Sequence, residues 1–164
     1  MGGIVVPFEF ASLGRVEINL EIMTGDRKSF ERVKFKLDSG SDFTLIKTDD
    51  LLRLGYTKVF LESCPLHENP ARTVSASRLD LRFITGVSIK FGDRELQGCR
   101  IFFSLDKHTS NLIGCDILKY FNWSVDYDKG ELAMVERKIK PKLSIGEKKI
   151  HIYTLDEGCD RDER

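Results

Sequence analysis

The sequence has no surplus of either charge: 26 basic residues balance 26 acidic ones, for a formal net charge of +0. A chain devoted to nucleic acid or an anionic membrane carries excess cations, so this balance argues against a polyanionic partner. Long apolar runs are also missing. The opening Met1-Gly2-Gly3-Ile4-Val5-Val6-Pro7-Phe8 has neither a basic leader nor an apolar stretch long enough for a signal sequence, and no later segment is long enough to span a bilayer. Gly2 does not start a myristoylation signal, because Val6 stands where Ser or Thr is required. Cys64, Cys99, Cys115 and Cys159 contain no C-x-x-C pair, which suits reduced thiols in a cytoplasmic protein better than a disulfide scaffold. Cys64 and His67 could supply two zinc ligands, but no second spaced pair completes a set of four, so neither metal nor cofactor is expected. There is no internal repeat and no low-complexity tract, which excludes solenoid and fibrous architectures.

What is present reads mainly as strand. Val16, Ile18, Leu20 and Ile22 alternate with polar residues, and Val33, Phe35 and Leu37 repeat the pattern against Lys34 and Lys36. Val87, Ile89 and Phe91, a turn at Gly92-Asp93-Arg94-Glu95, and a run ending in Ile101-Phe102-Phe103 predict a hairpin. Leu112-Ile113 predicts a short buried strand, and Trp123, Val125 and Tyr127 predict a strand that turns at Asp128-Lys129-Gly130 and returns through Leu132 and Met134. Thr48-Asp49-Asp50 offers an N-cap and Gly55 a stop for one short helix, and Asp116 offers a cap for a second. The expected fold is all-β, a closed barrel with one or two short helices. Its 164 residues suffice for one core. We place one domain over 1–135 and a C-terminal extension over 136–164, expected to be partly mobile, in which Ile150, Ile152 and Leu155 could add a strand or pack on a neighbour. The basic stretch Arg137 to Lys142 reads as a solvated face.

Two segments carry chemistry. Asp38-Ser39-Gly40 follows directly on an apolar strand, and Asn111-Leu112-Ile113-Gly114-Cys115-Asp116-Ile117-Leu118 lies far downstream. Alone, the first is an ordinary turn composition. Together the two segments resemble the retropepsin-like family of aspartic proteases, in its cellular and bacterial members, with a match running from about Val5 to Val135. The resemblance implies peptide-bond hydrolysis by two aspartates, one acting as base for water and the other as acid toward the carbonyl. It implies Asp38 as the catalytic residue, with Ser39, Gly40, Asp42 and Gly114 supporting the active-site loop. A flap tip is expected at Ser75, Ala76 and Ser77, in a stretch with few glycines. Because the sequence holds a single Asp-Ser-Gly, the second aspartate must come from a second copy, so a homodimer acting on an extended peptide or protein is expected, with neither nucleic acid nor membrane as partner. The chain departs from the viral pattern at Cys115, where many retroviral enzymes carry Arg, and at Asp116, where the family has Asn. An alternative is a non-catalytic module of the same fold that grips a peptide without cutting it.

Overall fold

A computed structural model describes residues 3–11, 15–25, 29–72, 78–106, 109–137 and 151–154. Strands β1 (Ile4–Ala11), β2 (Arg15–Met23) and β3 (Glu31–Leu37) lead into helices α1 (Thr48–Arg53) and α2 (Lys58–Ser63). Then come β4 (Ala71–Arg72), β5 (Arg78–Leu79), β6 (Arg82–Phe91), β7 (Arg94–Phe103) and β8 (Leu112–Ile113). Helix α3 (Cys115–Leu118), β9 (Phe121–Asp126), β10 (Glu131–Glu136) and β11 (His151–Thr154) complete the order. Among the described residues no helix is long and apolar enough to cross a membrane.

The predicted alternation sets the core. Ile18, Leu20 and Ile22 of β2 and Val33 and Phe35 of β3 are at most 1% exposed, and they meet Phe91, Phe103 and Phe121 from the later strands. Each such side chain contributes on the order of 1.5–3 kcal/mol by leaving water.

The sheet is open, which corrects the expected closed barrel. Its main path runs β11-β7-β6-β2-β1-β10-β9, with β3 and β8 branching from β2. One edge of β2 pairs with β3 from Glu17 to Ile22, while its other edge is shared, first by β1 up to Ile18 and then by β6 from Glu21. A shared edge makes the two groups of strands diverge, and their outer strands β9 and β11 do not pair with each other. Strand β1 was not singled out from sequence. It changes partner at Pro7, from β10 to β2, a point where a residue without an N–H is tolerated.

Among the described residues three helices form where one or two were expected. The first is capped by Lys47 rather than Thr48, whose hydroxyl instead donates to Ser104 O at 2.7 Å. It ends as predicted at Gly55, with the N–H groups of Gly55 and Tyr56 bonded back to Leu52 and Leu51. Helix α2 is capped by Thr57, which accepts from Phe60 N at 3.2 Å. From the C-terminal extension, β11 adds antiparallel to β7, with His151 opposite Gln97; residues from 155 onward lie outside the described residues.

Candidate active site

At the end of β3 the chain runs alongside β8, with Lys36 opposite Leu112 and Leu37 opposite Ile113 in parallel register. It loops out through residues 38–43 and returns along the other side of β8, where Leu45 exchanges two 2.8 Å hydrogen bonds with Leu112. Strand β8 therefore threads between the two arms of the loop that carries Asp38-Ser39-Gly40. Asp38 N donates to Ile113 O at 3.1 Å, Cys115 N donates to Ser41 O at 2.8 Å, and Asp116 N donates to Asp42 O at 3.2 Å.

Asp38 is half-buried at the head of this loop. Its Oδ1 accepts from Gly40 N at 3.1 Å, and Lys36 Nζ stands 3.5 Å from Oδ2. A Cβ on Gly40 would lie 3.3 Å from Asp38 Oδ1, so the glycine lets its main chain reach the carboxylate without crowding it. Ser39 is exposed, and its carbonyl accepts from Cys115 Sγ at 3.1 Å. Asp42 holds the loop through its carbonyl, while its carboxylate is exposed.

Gly114 is buried where α3 crosses behind the loop. A Cβ there would fall onto the Phe43 carbonyl and lie 2.9 Å from Ser41 O, both main-chain groups with little room to move. Thr44 and Asp116 close the crossing, and neither link was foreseen from sequence. Thr44, 0% exposed, donates its hydroxyl to Asp116 Oδ1 at 2.7 Å and its N–H to Oδ2 at 2.9 Å, and accepts from Gly114 N at 3.1 Å. Asp116 was expected to cap a helix, but the N-cap position of α3 is Gly114, and the Asp116 carboxylate, at the second residue of the helix, accepts from Ile117 N at 2.9 Å as well as from Thr44. Burial raises the Asp116 pKa above the ordinary carboxylate value, although hydrogen bonds from Thr44 and Ile117 and the nearby charge of Lys119 pull it down. The Cys99 thiol is pushed up to about 12, by burial first and by the Asp116 charge second, so it stays protonated and unreactive at neutral pH.

Beside the loop, Leu45, Leu81 and Phe102 form a small apolar cluster joined by Phe43, Ala71 and Leu79. Phe43 and Phe102 pack with ring centroids 4.6 Å apart, and His67 meets both rings edge-on. The cluster ties the base of the β4–β5 ladder to the loop, with Ala71 opposite Leu79 and Arg72 opposite Arg78. The expected flap tip at Ser75, Ala76 and Ser77 lies outside the described residues.

Comparison with solved structures finds a retropepsin-like aspartic protease from Rickettsia conorii, with a TM-score of 0.53 at 19% identity over 81% of this chain and 90% of that one. This chain has a retropepsin-like fold. The EIAV protease in complex with an inhibitor also matches, with a TM-score of 0.48 at 19% identity over 68% of this chain and 91% of that one. The retroviral protease-like domain of Ddi1 from Leishmania major matches with a TM-score of 0.47 at 14% identity over 85% and 95%. No family model matches the sequence, and no curated protein matches it. Within the retropepsin-like fold, the sequence motifs at Asp38 and Gly114 meet at one crossing, held by hydrogen bonds between residues 72 apart in the chain.

Proposed function

We propose that the chain is an aspartic endopeptidase that works as a homodimer, hydrolysing peptide bonds with a water held between two Asp38 carboxyls, one from each subunit. The observation that carries this reading is the placement of Asp38, half-buried at the head of a loop pinned on both arms, in a sequence with a single Asp-Ser-Gly. One carboxylate can take a proton from water but cannot at the same time offer an acid to the carbonyl. A second copy across a two-fold axis supplies the other group, and two carboxyls about 3 Å apart hold one proton between them, as is general for aspartic proteases. Ser39 then braces the facing loop, and Gly40 presents bare main chain to the substrate. The exposed Asp42 carboxylate meets substrate backbone, and the β4–β5 ladder stands beside the loop on the side where the substrate would lie. The scattered thiols suit a cytoplasmic setting.

One observation favours a second reading, a peptide-gripping module without cleavage. Lys36 Nζ stands 3.5 Å from Asp38 Oδ2, so each carboxylate already has an ion-pair partner within its own subunit.

Asp38→Asn decides between them. It should abolish cleavage while leaving folding and pairing intact, since the amide keeps the shape but cannot act as base. With confirmed subunit exchange, an equal mixture of wild type and variant should retain about a quarter of the wild-type activity, because only that fraction of dimers carries two aspartates. Retention of half would mean that each chain works alone. Wild-type protein that binds peptides but cleaves none of a diverse library would establish the gripping module.

A further inference from the structure

A concavity of about 460 Å³ opens on the outer face of β2 and β3, on the side away from the core. Six cations line it: Arg15 from β2, Arg32, Lys34 and Lys36 from β3, and Lys47 and Arg53 at the two ends of α1. Among the described residues only two acids line it, Glu17 and Asp50. Glu17 lies 4.0 Å from Lys34, and Asp50 lies 3.1 Å from Arg53 while also accepting from Asn111 Nδ2 at 2.6 Å. Arg15, Arg32 and Lys47 are exposed and make no ion pair among the described residues. The neutrality of the whole chain thus conceals a strongly basic groove.

The groove is linked to the candidate catalytic residue through Lys36. Lys36 lines its wall and reaches Asp38 Oδ2, and Lys34 and Arg32 continue the same face of β3 outward. Residues two apart on a strand lie roughly 6.5–7 Å apart, the spacing at which alternate side chains of an extended peptide recur. An extended segment with acids at every second position therefore matches the row of cations along β3. Single-stranded nucleic acid is the other polyanion that could lie there, but it is held by stacking on exposed aromatic rings. Among the described residues the one aromatic lining the groove is Phe35, which is 0% exposed and packed in the core.

We propose that this groove is an exosite for an acidic segment of the protein substrate, lying extended along β3 and leading away from Asp38. The word substrate rests on the peptidase reading; the binding itself does not. The full chain carrying Asp38→Asn keeps peptides intact and so separates binding from cleavage. A fluorescent peptide with Glu at alternate positions, followed by anisotropy at low salt, should bind at least about tenfold more tightly than its Gln counterpart and should weaken as salt is added. Arg32→Glu combined with Lys34→Glu should reduce it to the level of the Gln peptide, and Lys47→Glu on the opposite wall should cause an independent, smaller loss. The proposal is overturned by equal binding of the two peptides. It is equally overturned by unchanged affinity in a charge-reversed protein with a wild-type circular dichroism spectrum, or by tighter binding of oligothymidylate than of the acidic peptide. None of these results bears on whether Asp38 cuts.

Discussion

The Asp116 carboxylate accepts hydrogen bonds from Thr44 and Ile117, yet burial dominates and raises its pKa. A carboxyl whose folded pKa lies above its unfolded value binds the proton more tightly when folded. Its stabilising contribution is fully present below the unfolded value, near 3.8, and is lost as pH rises through the folded value. Wild type should therefore gain unfolding free energy relative to Asp116→Asn as the pH is lowered from about 7 to about 4, measured by denaturant titration at each pH. A difference that stays flat, or shrinks on acidification, would show that Asp116 is not the titrating group. At this scale the sequence was partly legible. Asp38 and Gly114 stand out within their segments, whereas Thr44 drew no reading of its own and Asp116 read locally as a helix cap. Their partnership spans 72 residues and leaves no local trace.

Helix α3 and strand β8 depend on Gly114 for their approach to the loop. Gly114→Ala would push a methyl group into main chain on the far side of the crossing, and over-packing of this kind costs about 1–3 kcal/mol or somewhat more when the backbone must yield. We expect thermal unfolding to shift down accordingly and any cleavage to fall with it, because the displaced groups belong to the loop that holds Asp38; an unchanged melting temperature would show that the crossing is looser than the contacts imply. Strands β2 and β3 have a clean period of two and were readable from alternation alone, whereas the β6–β7 hairpin, whose register shifts around Val87, was read from Val87, Ile89 and Phe91 together with its turn. Those missed had interrupted or brief signals: Pro7 breaks the pattern of β1, and α2 is a six-residue helix whose main cue is the Thr57 cap.

Across the whole molecule, alternation reveals which face of a strand is buried but not whether the outer strands meet, so the mainly β class was legible and the open sheet was not. Closure depends on how β2 divides one edge between β1 and β6, a long-range choice that no local pattern encodes. The threading of β8 between the loop arms bears on time as well as on shape. The β6–β7 hairpin joins neighbours in the chain, but Lys36 cannot find Leu112 until most of the polypeptide has been ordered, and long-range pairings of this sort form late and slowly. Ile113→Ala should thus accelerate unfolding and leave the refolding rate nearly unchanged, whereas Val87→Ala in the hairpin should slow refolding; stopped-flow measurements giving the reverse pattern would refute this order. On that order, a chain still emerging from the ribosome would carry Asp38 on an unformed loop until β8 has been made and threads between its arms.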